Sequence, residues 1–483
     1  MSNLSDLLPS GSGGKTADFV ASGTLPNGQA VILNSDGTVS AIAATGPETG
    51  TPTGFDTGSG YYTSATYDTL NNKIVIAYQD VNNSSYGTAV VGTVSGTSIS
   101  FGTPVVFESA EISWASITFD SNSNTVVIAF TDAGNSAYGT SVVGTVSGTS
   151  ISFGTAVVFH SNNGSRFSTT FDSVANKVVI MYQNGGSADA GTAIVGTVSG
   201  TSISFGSAVA FNGGTNDIGS TFDTNSNKVV ISYRNMSNSS YGTGIVGTVS
   251  GTSISFGTAV VFQSSSSYGS KATFDNNSNK VVVAYENRGS SSAGTAVVGT
   301  VSGTAISFGT PVVFATTVTT YLAVSFDSSS NQAVIGYSDV NNSYYGTAKI
   351  GTVSGTSISF GSANVFASSD LNYMSSAFDS DSNSVIFSYN DKDASIGKAA
   401  AFKTSGTTLT STNFVGITDA AISSAATGTV TIKGGISANV TSLTPAAIYY
   451  VQGDGTISTV TTAPAVRIGQ ALSSTSINLE FTA

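Results

Sequence analysis

The chain has 483 residues, of which 9% are charged and 40% hydrophobic, and it contains 55 glycines, 8 prolines and no cysteine. This composition is typical of a β-rich globular protein, and without cysteine there can be no disulfide, thiolate metal ligand or cysteine nucleophile. The net charge of −12, with only 15 scattered Lys and Arg, argues against binding to nucleic acid or anionic lipid.

Residues 1–17 predict a flexible N-terminal segment. They contain neither the basic region nor the apolar stretch of a secretory signal peptide. No apolar run in the chain approaches the roughly 18 to 20 residues of a membrane-spanning helix. We therefore expect synthesis in a cytoplasm and no membrane insertion.

Residues 18–46 predict an N-terminal β-hairpin module. An apolar run at residues 30–33 is followed by the turn pair Asp36-Gly37 and a second short strand. An Asp-Gly pair between two such runs is a strong hairpin signal.

A repeat of about 52 residues dominates residues 47–414. An aromatic residue followed by aspartate recurs with successive gaps of 52, 52, 51, 52, 52 and 52 residues. The aspartates are Asp68, Asp120, Asp172, Asp223, Asp275, Asp327 and Asp379. A period near 50 is typical of propeller blades and far exceeds a β-helix rung. The sequence therefore predicts an all-β fold, a seven-bladed β-propeller with four strands per blade.

The second copy illustrates the strands of one blade, at residues 116–120, 125–130, 139–146 and 149–159. Asp120 opens the first turn, where its carboxylate can accept a backbone N–H two residues on. The alternative for the seven aspartates is a row of catalytic or calcium-binding acids.

The two faces of the predicted ring differ in sequence. Loops between the first and second and between the third and fourth strands repeat almost unchanged and share one face. The stretches expected at the other face, which we call the variable face, differ in every copy. They are residues 108–114, 160–167, 212–219, 263–271, 315–322 and 367–374. Binding groups are usually placed on such loops, so recognition is expected at the variable face.

Two segments compete to supply the last strand of the seventh blade. Residues 47–55 resemble a fourth strand, because Gly50 precedes Asp68 by 18 residues just as Gly102 precedes Asp120. A strand from before the first blade would close the ring and remove a free edge. Residues 406–414 are the other candidate.

Residues 415–483 predict a C-terminal β module. Its strand, Asp454-Gly455 turn and strand parallel the N-terminal hairpin. Because ring closure brings both ends of the propeller together, we expect the terminal segments to pack as one small β domain.

Several short motifs in the terminal segments resemble modules of tailed-phage virion proteins, particularly fibres and capsid decorations of marine phages. They are residues 18–25, 36–37, 414–417, 426–428, 434–436, 443–445, 449–451 and 454–455. The resemblance covers roughly a fifth of the chain. It implies a non-enzymatic structural protein on the virion surface, with other virion proteins as partners, and a homotrimer if it is a fibre.

On this reading the variable face would bind a host glycan or receptor, as in a tail fibre or adhesin, or a neighbouring virion protein, as in a capsid decoration. Two alternatives remain: a glycan-cleaving propeller enzyme and a bacterial surface adhesin. The missing signal peptide counts against the adhesin.

Candidate ligand-binding residues are the aromatic, charged and imidazole side chains of the variable stretches. They are Trp114, His160, Arg166, Phe167, Arg234, Tyr268, Glu286, Arg288, Tyr321 and Tyr373. Aromatic rings can stack on sugars, and His160 is the only histidine, which leaves no cluster for a metal.

An arginine cluster beside Tyr268, Glu286 and Asp217 would suit a sialidase-like enzyme. The Asp-box turn of that family is absent, however, since the only tryptophan is Trp114. No catalytic residue is assigned and no cofactor is expected, apart from calcium at the loop carboxylates Asp80, Asp339 and Asp391. Turn formation explains those three without a metal.

Overall fold

The computed structural model describes residues 15–410, 412–460 and 465–480. The predicted flexible segment lies outside the described residues up to residue 14, and the first strand begins at Thr16. The fold is all-β with antiparallel ladders, as predicted. Two compact units are present: residues up to 47 together with those from 405 onwards, and residues 48–404.

Long strands connect successive repeats in the larger unit. Each begins as the outer strand of one sheet and ends as the inner strand of the next: Val105 pairs with Ala89, whereas Ser116 pairs with Ala129. After the first inner strand, Gly60–Asp68, they are Val105–Asp120, Val157–Asp172, Val209–Asp223, Val260–Asp275, Val312–Asp327 and Ser357–Asp379. Every repeat is thereby hydrogen-bonded into one continuous circuit.

The second and third strands complete each sheet. The second strands are Lys73–Asp80, Thr125–Asp132, Lys177–Asn184, Lys228–Asn235, Lys280–Asn287, Gln332–Asp339 and Ser384–Asp391. The third are Tyr86–Ser95, Tyr138–Ser147, Ala190–Ser199, Tyr241–Ser250, Ala293–Ser302, Tyr345–Ser354 and Ile396–Lys403. The second strands are buried on both faces, which explains their runs of Val and Ile.

Shorter elements lie between these strands. Outer-strand segments are Ser98–Phe101, Ser150–Phe153, Ser202–Phe205, Ser253–Phe256 and Ala305–Phe308. Single 3₁₀ turns follow three of the second strands, at Ala133–Asn135, Arg288–Ser290 and Val340–Asn342.

The circuit closes through the segment before the first repeat. Glu48–Thr49 and Thr53–Gly54 pair with Ile396–Lys403, the third strand of the last repeat. The competing segment, Gly406–Thr407, pairs instead with Ala44–Thr45 in the smaller unit. Of the two sequence candidates, residues 47–55 therefore provide the fourth strand.

An aromatic pair joins each repeat to the next. A phenylalanine of one outer strand packs on an aromatic residue at the centre of the following sheet, with ring centroids 5.0 to 6.0 Å apart. The pairs are Phe55–Tyr78, Phe107–Phe130, Phe159–Tyr182, Phe211–Tyr233, Phe262–Tyr285, Phe314–Tyr337 and Phe366–Tyr389. Phe55 belongs to this series, so the closing segment makes the same contact as every other outer strand.

The repeated aspartates are turn acceptors. Oδ1 of Asp120 accepts the N–H groups of Asn122 and Ser123 at 2.9 and 3.1 Å. The other six aspartates accept the equivalent pair of N–H groups. The structural interpretation of these residues is confirmed.

The smaller unit contains strands from both ends of the chain. One sheet has the order Thr16–Val20, Thr427–Ile432, Phe414–Thr418, Ala30–Leu33, Val39–Ala41. A second has the order Ile436–Ser437, Ile477–Leu479, Ala465–Ala471, Ile448–Gln452, Ile457–Ser458. Asp36 and Asp454 each accept the N–H and hydroxyl of the threonine two residues on, so the two hairpins have the same turn.

Closure by the N-terminal segment predicts a specific glycine requirement. A Cβ on Gly50 would overlap the carbonyl oxygen of Thr97 in the first repeat, just as one on Gly102 would overlap that of Thr149. We expect Gly50→Ala to lower the free energy of unfolding by about 2 kcal/mol or more. Gly361→Ala is the matched control, because the nearest atom to its Cβ would be 4.0 Å away. Equal urea midpoints for the two variants would contradict this closure.

The central tyrosines predict sensitivity to alkali. Burial raises the pKa of Tyr182 to about 12. A raised pKa contributes stability below the ordinary value of 10, and this contribution is lost as the pH rises through 12. Between pH 10 and 12, the free energy of unfolding should therefore fall by about 1 to 2 kcal/mol less in Tyr182→Phe than in wild type, as measured by urea unfolding.

The same substitution should cost little at pH 7. The Tyr182 hydroxyl has no hydrogen-bond partner among the described residues, and the second repeat has Phe130 at the equivalent position. If the free energy of unfolding falls equally in wild type and Tyr182→Phe across the alkaline range, Tyr182 is not the source of the pH dependence.

Candidate functional site: a collar of bulge residues

Each inner strand contains a β-bulge at the same place. In the first repeat, Tyr61 pairs with Gln79 but Ser64 pairs with Ala77, so the inner strand has one extra residue. The same shift occurs in all seven repeats. A bulge of this kind redirects a side chain relative to the regular alternation of a strand.

One residue of every bulge has a left-handed backbone. These residues are Tyr62, Trp114, Arg166, Asp217, Gly269, Tyr321 and Tyr373, with φ between 48° and 61°. We call them the collar. Side chains other than glycine adopt this conformation at a cost of about 1 kcal/mol, and such residues concentrate at functional sites.

Four aromatic collar residues form a continuous crescent. Ring centroids are 5.6 Å apart for Tyr321 and Tyr373, 4.8 Å for Tyr373 and Tyr62, and 5.0 Å for Tyr62 and Trp114. Tyr61 also packs on Tyr373, at 4.8 Å. Tyr321 is 43% exposed. Burial raises the pKa of Tyr373 to about 12, with the neighbouring Tyr62 adding to the effect, so this phenol stays protonated at neutral pH.

A charged sector continues the collar beyond Trp114. The Arg166 guanidinium lies over the Trp114 ring, 4.5 Å from its centroid, and its Nη1 is 3.7 Å from Asp217 Oδ1. Arg234, which is 6% exposed, places Nε 3.0 Å from Asp217 Oδ2. Six consecutive collar residues are thus in contact, and the series is interrupted at Gly269.

Tyr268 lies between two guanidiniums beside that interruption. Arg234 and Arg288 are 3.7 and 3.3 Å from the centroid of its ring. Arg288 also pairs with Glu286, Nε to Oε1 at 2.9 Å. Cation–π stacking and ion pairing together fix the directions in which these donors point.

In repeats four and five a charged residue occupies a position that in three other repeats holds a residue bonded to the next repeat. At the equivalent second-strand position, Gln79, Thr131 and Gln183 donate to a backbone carbonyl of the next repeat, on Ile112, Gly164 and Thr215 respectively. Arg234 and Glu286 occupy this position in repeats four and five. Ser338 and Asn390, at this position in repeats six and seven, donate within their own repeats.

The collar lies at the variable face. The turns after the second strands are hydrogen-bonded to the chain at the start of the inner strands, for example Gly185 N to Asn163 O at 2.9 Å. Met236 N to Gly214 O, at 2.9 Å, is the equivalent bond in the fourth repeat. The variable stretches and the turns after the second strands therefore lie on the same side as the bulges, away from the aspartate turns.

Eight of the ten predicted site residues are brought together in or beside the collar. The other two are elsewhere. Phe167 is 8% exposed and packs against Phe159 and Tyr182 at 5.8 and 6.3 Å, so it belongs to the core. His160 packs on Tyr182 at 4.9 Å, and burial lowers its pKa, although a hydrogen bond from the imidazole to the Asn184 side chain opposes the shift.

The carboxylates considered for calcium accept backbone N–H groups in turns. Asp80 accepts from Asn83 at 3.0 Å and Asp339 from Asn341 at 3.2 Å. Asp391 accepts from Ala394 at 3.0 Å and from Lys398 Nζ at 2.8 Å. Calcium binding at these residues stays a prediction.

Sequence reasoning missed Tyr62 and Gly269, named Asp217 only in the sialidase-like alternative, and missed the seven-fold equivalence of the collar. The signal was present: each collar residue lies six positions before a repeated aspartate. Applying that offset to all seven copies would have selected the collar directly.

No protein-family model matches this chain, and no curated protein matches it. Among solved structures, the BP39L lectin from Burkholderia pseudomallei matches with a TM-score of 0.52 at 9% identity, covering 72% of this chain and 96% of the lectin. The Aleuria aurantia lectin matches with a TM-score of 0.41 at 12% identity, covering 64% and 96%. A protein of unknown function from Dyadobacter fermentans matches at 0.44 and 11%, covering 75% and 99%.

The Burkholderia lectin supports the β-propeller fold, and its low identity limits the comparison to the fold. Within the part of the chain that the structure describes, no helix has the length and apolar character needed to cross a membrane.

The buried ion pair predicts an asymmetry in stability. Asp217→Asn would leave the buried Arg234 cation without its partner carboxylate, so we expect a loss of about 2 to 4 kcal/mol in urea unfolding. Asp370→Asn is the matched control, because its pair with Lys392 is more exposed, and there we expect about 0 to 1 kcal/mol. Equal losses would show that the Asp217 pair is not a desolvated one.

Proposed function

We propose that this protein is a non-enzymatic, glycan-binding β-propeller of seven blades, and that the collar is its binding surface. The observation that carries the proposal is the contact between bulge residues of successive repeats, which joins four aromatic rings and a charged sector into one surface.

The aromatic crescent suits the apolar faces of sugar rings. The negative face of an aromatic ring attracts the slightly positive C–H groups of a pyranose. Tyr62, Trp114 and Tyr373 are partly exposed, and Tyr321 is more so. Because each ring packs on its neighbours, little side-chain freedom would be lost on binding.

The charged sector supplies oriented polar groups. Arg166 and Arg234 donors and the Asp217 acceptor are held by one another, and a few fixed polar groups beside an apolar wall are typical of ligand sites. Sugar hydroxyls both donate and accept hydrogen bonds, so they can use both kinds of group.

The pairing of these arginines is the argument against the glycosidase alternative. Arg166 and Arg234 face Asp217, and Arg288 faces Glu286. Two carboxylates thus face three guanidiniums and leave a net charge of one, whereas the arginine clamp of a sialidase-like enzyme needs several uncompensated cations. Incubation with bound glycans should therefore release no oligosaccharide.

For the setting of this activity, we propose display on a phage particle, through the smaller unit. The terminal motifs that resemble virion modules lie in this unit, and strands from both chain ends share one of its sheets. Labelling of residues 415–460 on purified particles, viewed by electron microscopy, would locate it. Label on the shell indicates a decoration and label on the tail an attachment protein, whereas unlabelled particles would favour the bacterial adhesin.

Replacing collar aromatics by glycine tests the binding surface. Gly269 shows that the bulge accepts glycine, so Tyr62→Gly and Trp114→Gly relieve a strained backbone while removing the rings. We expect each to weaken the tightest glycan binding by about 10-fold or more in calorimetric titration, from the loss of about 1.4 kcal/mol or more.

Leu70→Ser is the control, because Leu70 is 60% exposed in an aspartate turn on the opposite face. Glycan affinities that survive both collar substitutions would place binding elsewhere on the protein.

A further inference from the structure

A polar cavity of about 190 Å³ lies beneath the collar. Inner-strand residues of every repeat line it, and hydroxyl groups are prominent among them. Two residues after each collar position come Ser64, Ser116, Ser168 and Ser375 in four of the repeats. Ser64, Ser116 and Ser375 accept the free N–H of the neighbouring inner strand at 3.0 to 3.1 Å.

Lys271 occupies the same position in the fifth repeat and is the only charged residue lining the cavity. No carboxylate of the described residues lies within ion-pairing distance of its ammonium group. Its side chain is exposed within the cavity. Desolvation by the surrounding protein lowers the pKa of Lys271, and the charge of Asp217 opposes the shift.

A glycine in the neighbouring repeat allows the inner strand that contains Lys271 to approach closely. At the position occupied by serine in four repeats, the fourth repeat has Gly219. A Cβ there would lie 2.7 Å from Ser270 O and 2.8 Å from Lys271 Cα. The lysine and the glycine beside it therefore depart from the repeat together.

The collar is open at this same repeat. Gly269 precedes Lys271 by two residues and has no side chain to cover the cavity. A Cβ at Gly269 would have only Leu322 Cδ1 within 4 Å, at 3.6 Å, so the space in front of it is open. The other six collar positions carry side chains.

We propose that the cavity at Lys271 binds the carboxylate of an acidic sugar, entering through the collar at Gly269. This deepens the proposed function and rests on it: the preferred ligands are carboxylate-bearing glycans. An unpaired ammonium in a hydroxyl-lined cavity favours an anion, and a single cation matches a single carboxylate.

The test uses an array of matched neutral and carboxylated glycans, bearing uronic or sialic acids, with calorimetry on the hits. Wild type should bind the acidic members about 10-fold or more tightly than their neutral partners. Lys271→Met should bind both equally, since it keeps the bulk and removes the charge. Lys349→Met is the control, because Lys349 belongs to a third strand of the sixth repeat, away from the cavity.

Loss of an unpaired cation should leave the thermal midpoint of unfolding unchanged or higher, so folding does not confound this comparison. Lys271→Gln provides a second variant. Wild type that prefers neutral glycans, or Lys271→Met that keeps an acidic preference, would overturn the inference and leave the proposed function standing. The absence of any glycan hit would overturn the proposed function.

Sodium sulfate and sodium glucuronate, titrated separately, distinguish a free anion from a sugar acid. Glucuronate binding that is lost in Lys271→Met supports the inference. Sulfate binding as tight as that of the acidic glycans would overturn it, in favour of a site for free inorganic anions.

Discussion

A single bulge, repeated at the same register of every inner strand, is the constraint on which the site depends. In a regular strand successive side chains alternate between the two faces of the sheet. Without the bulge, the side chains at the collar positions would keep this alternation and pack between neighbouring sheets. The extra residue breaks that alternation and fixes a left-handed backbone at each collar position. Contacts between the collar side chains then join neighbouring repeats, which allows a repeated scaffold to carry a site without internal symmetry.

The repetition separates scaffold from function. Aspartate turns, central aromatic residues and close-packed glycines are nearly invariant among the repeats because each has the same structural role in every repeat: the first closes a turn and the other two pack neighbouring repeats together. The collar positions do not have such a role and hold three tyrosines, a tryptophan, an arginine, an aspartate and a glycine. In repeats four and five, Arg234, Glu286, Gly219 and Lys271 occupy positions that in other repeats hold residues bridging strands. Ala323, Ser338 and Asn390 depart from the same positions in repeats six and seven.

Much of the fold could be predicted from the sequence, since the spacing of the aspartates indicates the repeat and the position of Gly50 marks one of two candidates for the closing strand. The site was predicted only as a set of variable residues. Arg166 and Phe167 are adjacent, yet one joins the collar and the other packs in the core. That division depends on a one-residue bulge, which hydrophobic periodicity does not reveal. His160 is separated from the collar for a related reason, since it pairs with Gly139 in an outer-strand ladder.

The only tryptophan of the chain provides the most direct test of the central claim, that the collar is where ligand binds. Trp114 lies in the middle of the collar, between Tyr62 and Arg166, so its fluorescence reports on that surface alone. Titration of wild type with a glycan that binds in calorimetry should change the tryptophan emission with the same Kd and protect it from acrylamide quenching. Calorimetric binding that leaves both emission and quenching unchanged would contradict the account.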